Sequence, residues 1–141
     1  MVEIFFEDVE ILDLRSEFFH SWLGKVCEQE EKELDVVSLI FCSDEYLLKM
    51  NQEHLEHDYY TDIITFDYSS GYVISGDLFI SIDRVKDNAG INQVTFMNEL
   101  HRVVVHGVLH LIGYNDKSES EQKEMRSLEN KYLEIVSRET I

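Results

Sequence analysis

The sequence is short of cations. Twelve Lys and Arg face 29 Asp and Glu, for a formal net charge of −17, and no basic stretch occurs anywhere. That balance argues against DNA binding, and against any nucleic-acid binding through a broad electrostatic surface. It does not touch recognition at one confined site. Cysteine is scarce too. Cys27 and Cys42 stand alone, one in a helical pattern and one in a strand pattern. They read as buried free thiols, not as a disulfide or a metal pair. No apolar run approaches the ~20 residues of a membrane span. The start, Met1-Val2-Glu3-Ile4-Phe5-Phe6-Glu7, is acidic and strand-like, without the basic opening of a signal peptide. A cytoplasmic protein with no membrane partner is therefore expected. Repeats, linkers and low-complexity tracts are absent. The 141 residues are expected to form a single domain, 1–141, large enough for a proper core.

What is present is a globular pattern, with 44% apolar residues. Val2, Ile4 and Phe6 alternate as in a strand. Asp13 offers an N-cap for a helix over roughly 14–31, with Phe18, Phe19, Trp22, Leu23 and Val26 on its apolar stripe. The continuous run Val36–Cys42 suggests a central strand covered on both faces. Ser43 caps a helix over 44–55. Asp62–Tyr68 and Tyr72–Ile82 read as a hairpin about Ser69-Ser70-Gly71. Gly76-Asp77 inside it suggests a bulge or a close backbone approach. Asp83 can cap a short helix through Lys86, which Asn88-Ala89-Gly90 breaks. A long helix follows from about Gln93 to Ile112, polar early and apolar later. That gradient implies a run from the surface into the middle of the protein. Ser118–Ser137 reads as a surface helix with no assigned chemistry. The expected fold class is α+β: helices packed on a mixed four-stranded sheet.

The most apolar run, Val103–Ile112, carries His106 and His110, followed by Gly113 and Asp116. Two His at i and i+4 share one helix face. A glycine past the helix end can reverse the chain and swing a third donor back. His106, His110 and Asp116 thus form a candidate tridentate metal site, and three protein ligands leave a position for water. The alternative is a pair of hydrogen-bonded core histidines. Each buried ring would then need partners for both nitrogens, an unmet one costing ~1–3 kcal/mol.

The spacing is close to the extended zincin pattern, a helix-borne His-Glu-x-x-His-x-x-Gly-x-x-His. The Glu position is Gly107, which cannot take a proton, so a metalloprotease mechanism is disfavoured. Asp62, Asp67 and Asp77 are the carboxylates to test as helpers or partners of the ligands, although strand-end aspartates commonly satisfy backbone groups. Glu99, seven residues before His106, could orient a ligand; a surface Glu is the plainer expectation.

His-Gly-Val-Leu-His-Leu-Ile-Gly-Tyr-Asn-Asp resembles the signature of the YbeY endoribonucleases, His-Gly-x-Leu-His-Leu-x-Gly-Tyr-Asp-His. Met50-Asn51, Thr61-Asp62-Ile63-Ile64-Thr65-Phe66 and Gly76-Asp77-Leu78-Phe79-Ile80-Ser81 are similar to further family motifs, and Met125 and Glu129 match its C-terminal helix. The resemblance implies one zinc on His106, His110 and Asp116. It also implies cleavage of single-stranded RNA by a metal-activated water, in 16S rRNA 3′-end maturation, with rRNA and the small ribosomal subunit as partners. Two positions depart from the pattern. Asp116 stands where the family has a third His. Leu55, followed by Glu56, stands where the family has an arginine for RNA phosphate, and no arginine occurs between Arg15 and Arg84. His54 or His57 could partly replace it, or be loop histidines only. A ribosome assembly factor that keeps the metal but has lost cleavage is the alternative function.

Overall fold

The computed structural model describes residues 1–54 and 61–139. The elements are β1 (Val2–Phe6), α1 (Ser16–Gln29), β2 (Glu33–Cys42), α2 (Asp44–His54), β3 (Ile63–Asp67), β4 (Val73–Ser81), α3 (Ile82–Asn92), α4 (Phe96–Ile112) and α5 (Glu119–Glu139). The strands form one mixed sheet in the order β1-β2-β4-β3. β1 and β4 flank β2 in parallel, and β3 closes the edge antiparallel to β4. This is the expected α+β arrangement. β2 is interior, and Ile40, Phe41 and Cys42 near its end are all buried, as a strand covered on both faces requires. Both thiols are buried and free.

The alternation of β4 sorts the two faces. Ile74, Leu78 and Ile80 enter the larger core, with residues of α1, α4 and α5. Phe79 points the other way, toward Cys42, Leu47 and Ile64 beneath α2. Helix α4 contacts β3, β4, α1, α3 and α5. Its first turn, Phe96 to Asn98, is exposed or half-buried, and from Glu99 onward most of the helix is buried, Glu99 and His101 included. The run from surface to interior expected of this helix is therefore observed.

Several boundaries differ from the sequence reading. Arg15, not Asp13, precedes α1, and it makes no side-chain cap. β2 begins at Glu33. Helix α3 does not break at Asn88-Ala89-Gly90 but continues to Asn92, where Gln93 in the left-handed conformation (φ 56°) ends it. Packing of Val85 and Ala89 in the interior outweighs the ~1 kcal/mol that glycine costs a helix. Its cap is Ser81, whose Oγ accepts the Arg84 N–H at 3.1 Å. Asp83 accepts the Asp44 N–H at 2.8 Å, at the start of α2. Thr95 caps α4 through the Asn98 N–H. Gly76 pairs with Asp67 and with Val37, where the β2–β4 register shifts after Leu34. A Cβ there would lie 2.5 Å from the Phe66 carbonyl and 2.9 Å from Leu111 Cδ2, so the glycine marks a close approach beside an irregularity of the neighbouring strand.

Candidate metal centre

The site forms where α4 ends. Gly113 has φ 126°, a conformation that L side chains rarely adopt, and its N–H closes on the carbonyls of Leu109 and His110 at 3.1 Å. The chain turns back there and brings Asp116 over the two histidines. His106 Nε2 and His110 Nε2 are 3.0 Å apart. Asp116 Oδ2 lies 3.3 Å from the first and 3.4 Å from the second. A tetrahedral zinc with bonds of about 2.0–2.1 Å has ligand atoms roughly 3.3–3.4 Å apart. The triangle is of that size.

The other ring nitrogens fix what the Nε2 atoms can do. His106 Nδ1 lies 2.7 Å from Glu129 Oε2, and His110 Nδ1 lies 2.9 Å from the Tyr114 carbonyl oxygen. A carboxylate and a carbonyl only accept, so each neutral ring carries its proton on Nδ1. Both Nε2 lone pairs then face one another and an anionic oxygen, with no donor among them. A cation resolves that conflict, and one held through Nε2 with Nδ1 bonded behind it is the usual pattern of metal-ligating histidine. The donor set fits a divalent ion.

Glu129 is the part that sequence reasoning missed, because α5 was assigned no chemistry. It is 5% exposed, and its second oxygen accepts from Arg102 Nη1 at 2.9 Å. Burial favours its neutral form, but the hydrogen bonds from His106 and Arg102 prevail and keep it below the ordinary Glu range. His106 mirrors this: burial pulls it down, while Glu129, then Asp62 and Asp116, raise it overall. The signal was legible. Glu129 falls on the buried stripe of Met125 and Tyr132, an acid where an amphipathic helix needs an apolar residue. On the far side, Glu30, which ends α1, accepts from the hydroxyls of Tyr114 and Tyr132. That anchors the residue whose carbonyl orients His110.

Two cavities meet at the triad. One, of about 490 Å3, lies among α3, α4 and α5; the other, of about 430 Å3, opens along β3. Asp62, His106 and Asp116 line both. Asp62 is thus brought to the site, with its carboxyl raised by burial against the pull of His106. Asp67 lines the β3 cavity and accepts the Ser69 N–H at 2.8 Å, the backbone role expected of a strand-end aspartate. Asp77 is not brought in. It accepts from the Tyr68 hydroxyl at 3.3 Å, and strand alternation turns it from the face where its neighbour Leu78 meets α4. Glu99 is 5% exposed and lines the larger cavity, so it is not a surface residue. His54 is the last residue of α2; Leu55, Glu56 and His57 lie outside the described residues. Gly107 faces the sheet. A Cβ there would sit 2.7 Å from Ile63 Cδ1 and 2.9 Å from Leu78 Cδ1, so the zincin glutamate has neither room nor a line to the ligands.

Comparison with known proteins agrees with this geometry. The family model described as endoribonuclease YbeY matches residues 5–137. The chain belongs to the YbeY endoribonuclease family. Among YbeY relatives, the endoribonuclease YbeY of Porphyromonas gingivalis strain W83 is 44% identical over 140 residues, covering 99% of this chain and 92% of that protein. That of Cytophaga hutchinsonii is 53% identical over 116 residues, 82% of this chain and 81% of its own. The solution structure of TM1509 from Thermotoga maritima superposes with a TM-score of 0.67 at 29% identity, covering 99% of this chain and 91% of that one. No helix among the described residues is long and apolar enough to cross a membrane.

Proposed function

We propose that this YbeY-family chain is a zinc-dependent endoribonuclease that cuts single-stranded RNA in the cytoplasm. Its place would be 16S rRNA 3′-end processing, with rRNA and the small ribosomal subunit as partners. The observation that carries the reading is the convergence of His106 Nε2, His110 Nε2 and Asp116 Oδ2, each ring held from behind by an acceptor, in a chain whose relatives are named endoribonucleases. One zinc on a zincin-like helix is the ion this donor set suits; bound there, it supplies Lewis acidity that acidifies water and offsets charge on a phosphodiester oxygen.

The chain's own residues do the rest. Glu129 and the Tyr114 carbonyl keep both imidazoles in the ligating tautomer. Asp62, at the junction of the two cavities and raised by burial, is the carboxyl placed to hold or accept a proton beside the scissile bond. The cavities on either side of the triad give an extended strand a path across it. Phosphate contact falls to Arg126, whose side chain is 60% exposed at the cavity wall. Its 3.7 Å approach to Glu129 is weaker than the bonds Arg102 makes to Glu129 and Asn130 at 2.9 Å. Arg102 and Arg126 thus put two cations beside the triad in a chain of charge −17.

The test is purified protein containing about one zinc per chain, assayed on single-stranded RNA and on peptides together. RNA cleavage that vanishes with the zinc in His110→Ala supports the reading. Cleavage without metal, or of peptide alone, overturns it. Metal-replete protein that leaves RNA intact yet co-sediments with small subunits would establish the assembly-factor alternative, which the Leu55 departure favours.

A further inference from the structure

The larger cavity has a wall that the metal ligands do not account for. Glu99 stands in it, 5% exposed. Among the described residues its carboxylate accepts one side-chain hydrogen bond, from Asn92 Nδ2 at a long 3.4 Å. A buried carboxylate needs two or more good donors to offset its lost hydration. The nearby guanidinium of Arg102 is committed to Glu129 and Asn130. Glu99 therefore has unused acceptor capacity on a cavity wall. The carboxamides of Asn88, Asn92 and Gln122 line the same space and offer donors and acceptors at no net charge.

These groups suit a ligand that carries two adjacent N–H donors with an acceptor beside them. Guanine has that edge, with N1–H and the N2 amino group side by side and O6 next to them. Adenine and cytosine offer one amino group there, and uracil one N–H. A carboxylate can meet guanine's two donors with its two oxygens, and a carboxamide N–H can meet O6. The volume of about 490 Å3 suits a small-molecule pocket, and His106 and Asp116 of the triad form part of its wall. Single-stranded RNA is read in this way, on base edges splayed into pockets.

We propose that this cavity is a guanine-selective subsite for the nucleotide beside the cleaved bond, and that Glu99 is its specificity-determining residue. The inference rests on the ribonuclease reading above and adds a sequence preference to it.

The test uses zinc-loaded full chain and 2′-O-methylated single-stranded oligonucleotides that differ at one position, with affinity read by fluorescence anisotropy. Guanosine at that position should bind about tenfold more tightly than inosine, which lacks the N2 amino group, or than adenosine, cytidine or uridine. The guanosine–inosine comparison changes the ligand and leaves the fold alone. In Glu99→Gln the ratio should fall toward one while zinc stays bound in full stoichiometry. Equal affinity for all bases, a preference for another base, or a guanosine preference that survives in Glu99→Gln would each overturn the subsite. If the wild-type chain cleaves RNA without base preference, the subsite alone falls. If it neither binds nor cleaves any single-stranded RNA, the ribonuclease reading falls and the subsite with it.

Discussion

Helix α4 carries three histidines in ten residues, His101, His106 and His110, and the two ends of the helix treat them in opposite ways. His101 packs among Phe18, Phe19 and Trp22, with ring centroids 5.4 to 5.7 Å away. Its Nε2 is buried with no hydrogen-bond partner among the described residues, and burial pushes its pKa down to about 4. His106 and His110, one and two turns on, each have Nδ1 on an oxygen acceptor and Nε2 turned toward Asp116. The same side chain on the same helix is an aromatic filler at one end and a candidate metal ligand at the other. What separates them is what the neighbouring elements present. Helix α1 brings rings to His101, whereas α5 and the loop after Gly113 bring oxygen acceptors to the other two.

The comparison can be broken most severely at its ligating end. His110→Ala should release the zinc and lower RNA cleavage by more than 100-fold, read by metal analysis and a cleavage assay; the corresponding His101→Ala should leave the stoichiometry intact. Next comes the acceptor behind the ring. Glu129→Gln should weaken zinc binding about 10- to 100-fold, measured by competition with a chromophoric chelator. Unchanged affinity would remove Glu129 from the centre.

The other end is tested through pH. The unfolded chain takes up a proton on His101 below about 6.5, and the folded chain only below about 4. Protonation therefore favours unfolding. The stability that neutral His101 allows is complete above pH 6.5 and is lost as the pH falls toward 4. At about 1.4 kcal/mol per pH unit, the loss is of order 3 kcal/mol. Urea unfolding at several pH values should show His101→Phe gaining on wild type across that window by this amount. The smallest effect is at neutral pH, where His101→Phe removes an unmatched polar nitrogen and should stabilise by about 1 kcal/mol. Destabilisation there would mean that Nε2 has a partner.

Much of this was legible beforehand. The i, i+4 histidines, the glycine after the helix and the aspartate beyond it were enough to specify the triangle, because helical spacing and the αL turn are local geometry. The first strand followed from alternation, the central one from its continuous apolar run and the hairpin from its turn residues. The supporting residues were harder. Glu99 read as a surface acid and Glu129 as no more than a match to the family's C-terminal helix, and only the packing of α3 and α5 on α4 reveals both as buried. Asp62 and Asp77 looked equivalent as strand aspartates, yet Asp62 precedes β3 at the site and Asp77 faces away on β4. Gly107 read as a missing base; its cause is the sheet pressed against it.

By itself the sequence determined the order and type of the secondary elements, the α+β class, the family signature and the three residues of the candidate cation site. These depend on contacts within a few residues, which periodicity and turn chemistry encode. Tertiary structure alone decided which histidine nitrogens are free, which carboxylates are buried and where a cavity opens beside the ligands. Those depend on groups brought together from α1, α3, α5 and β3, across separations that no local pattern records.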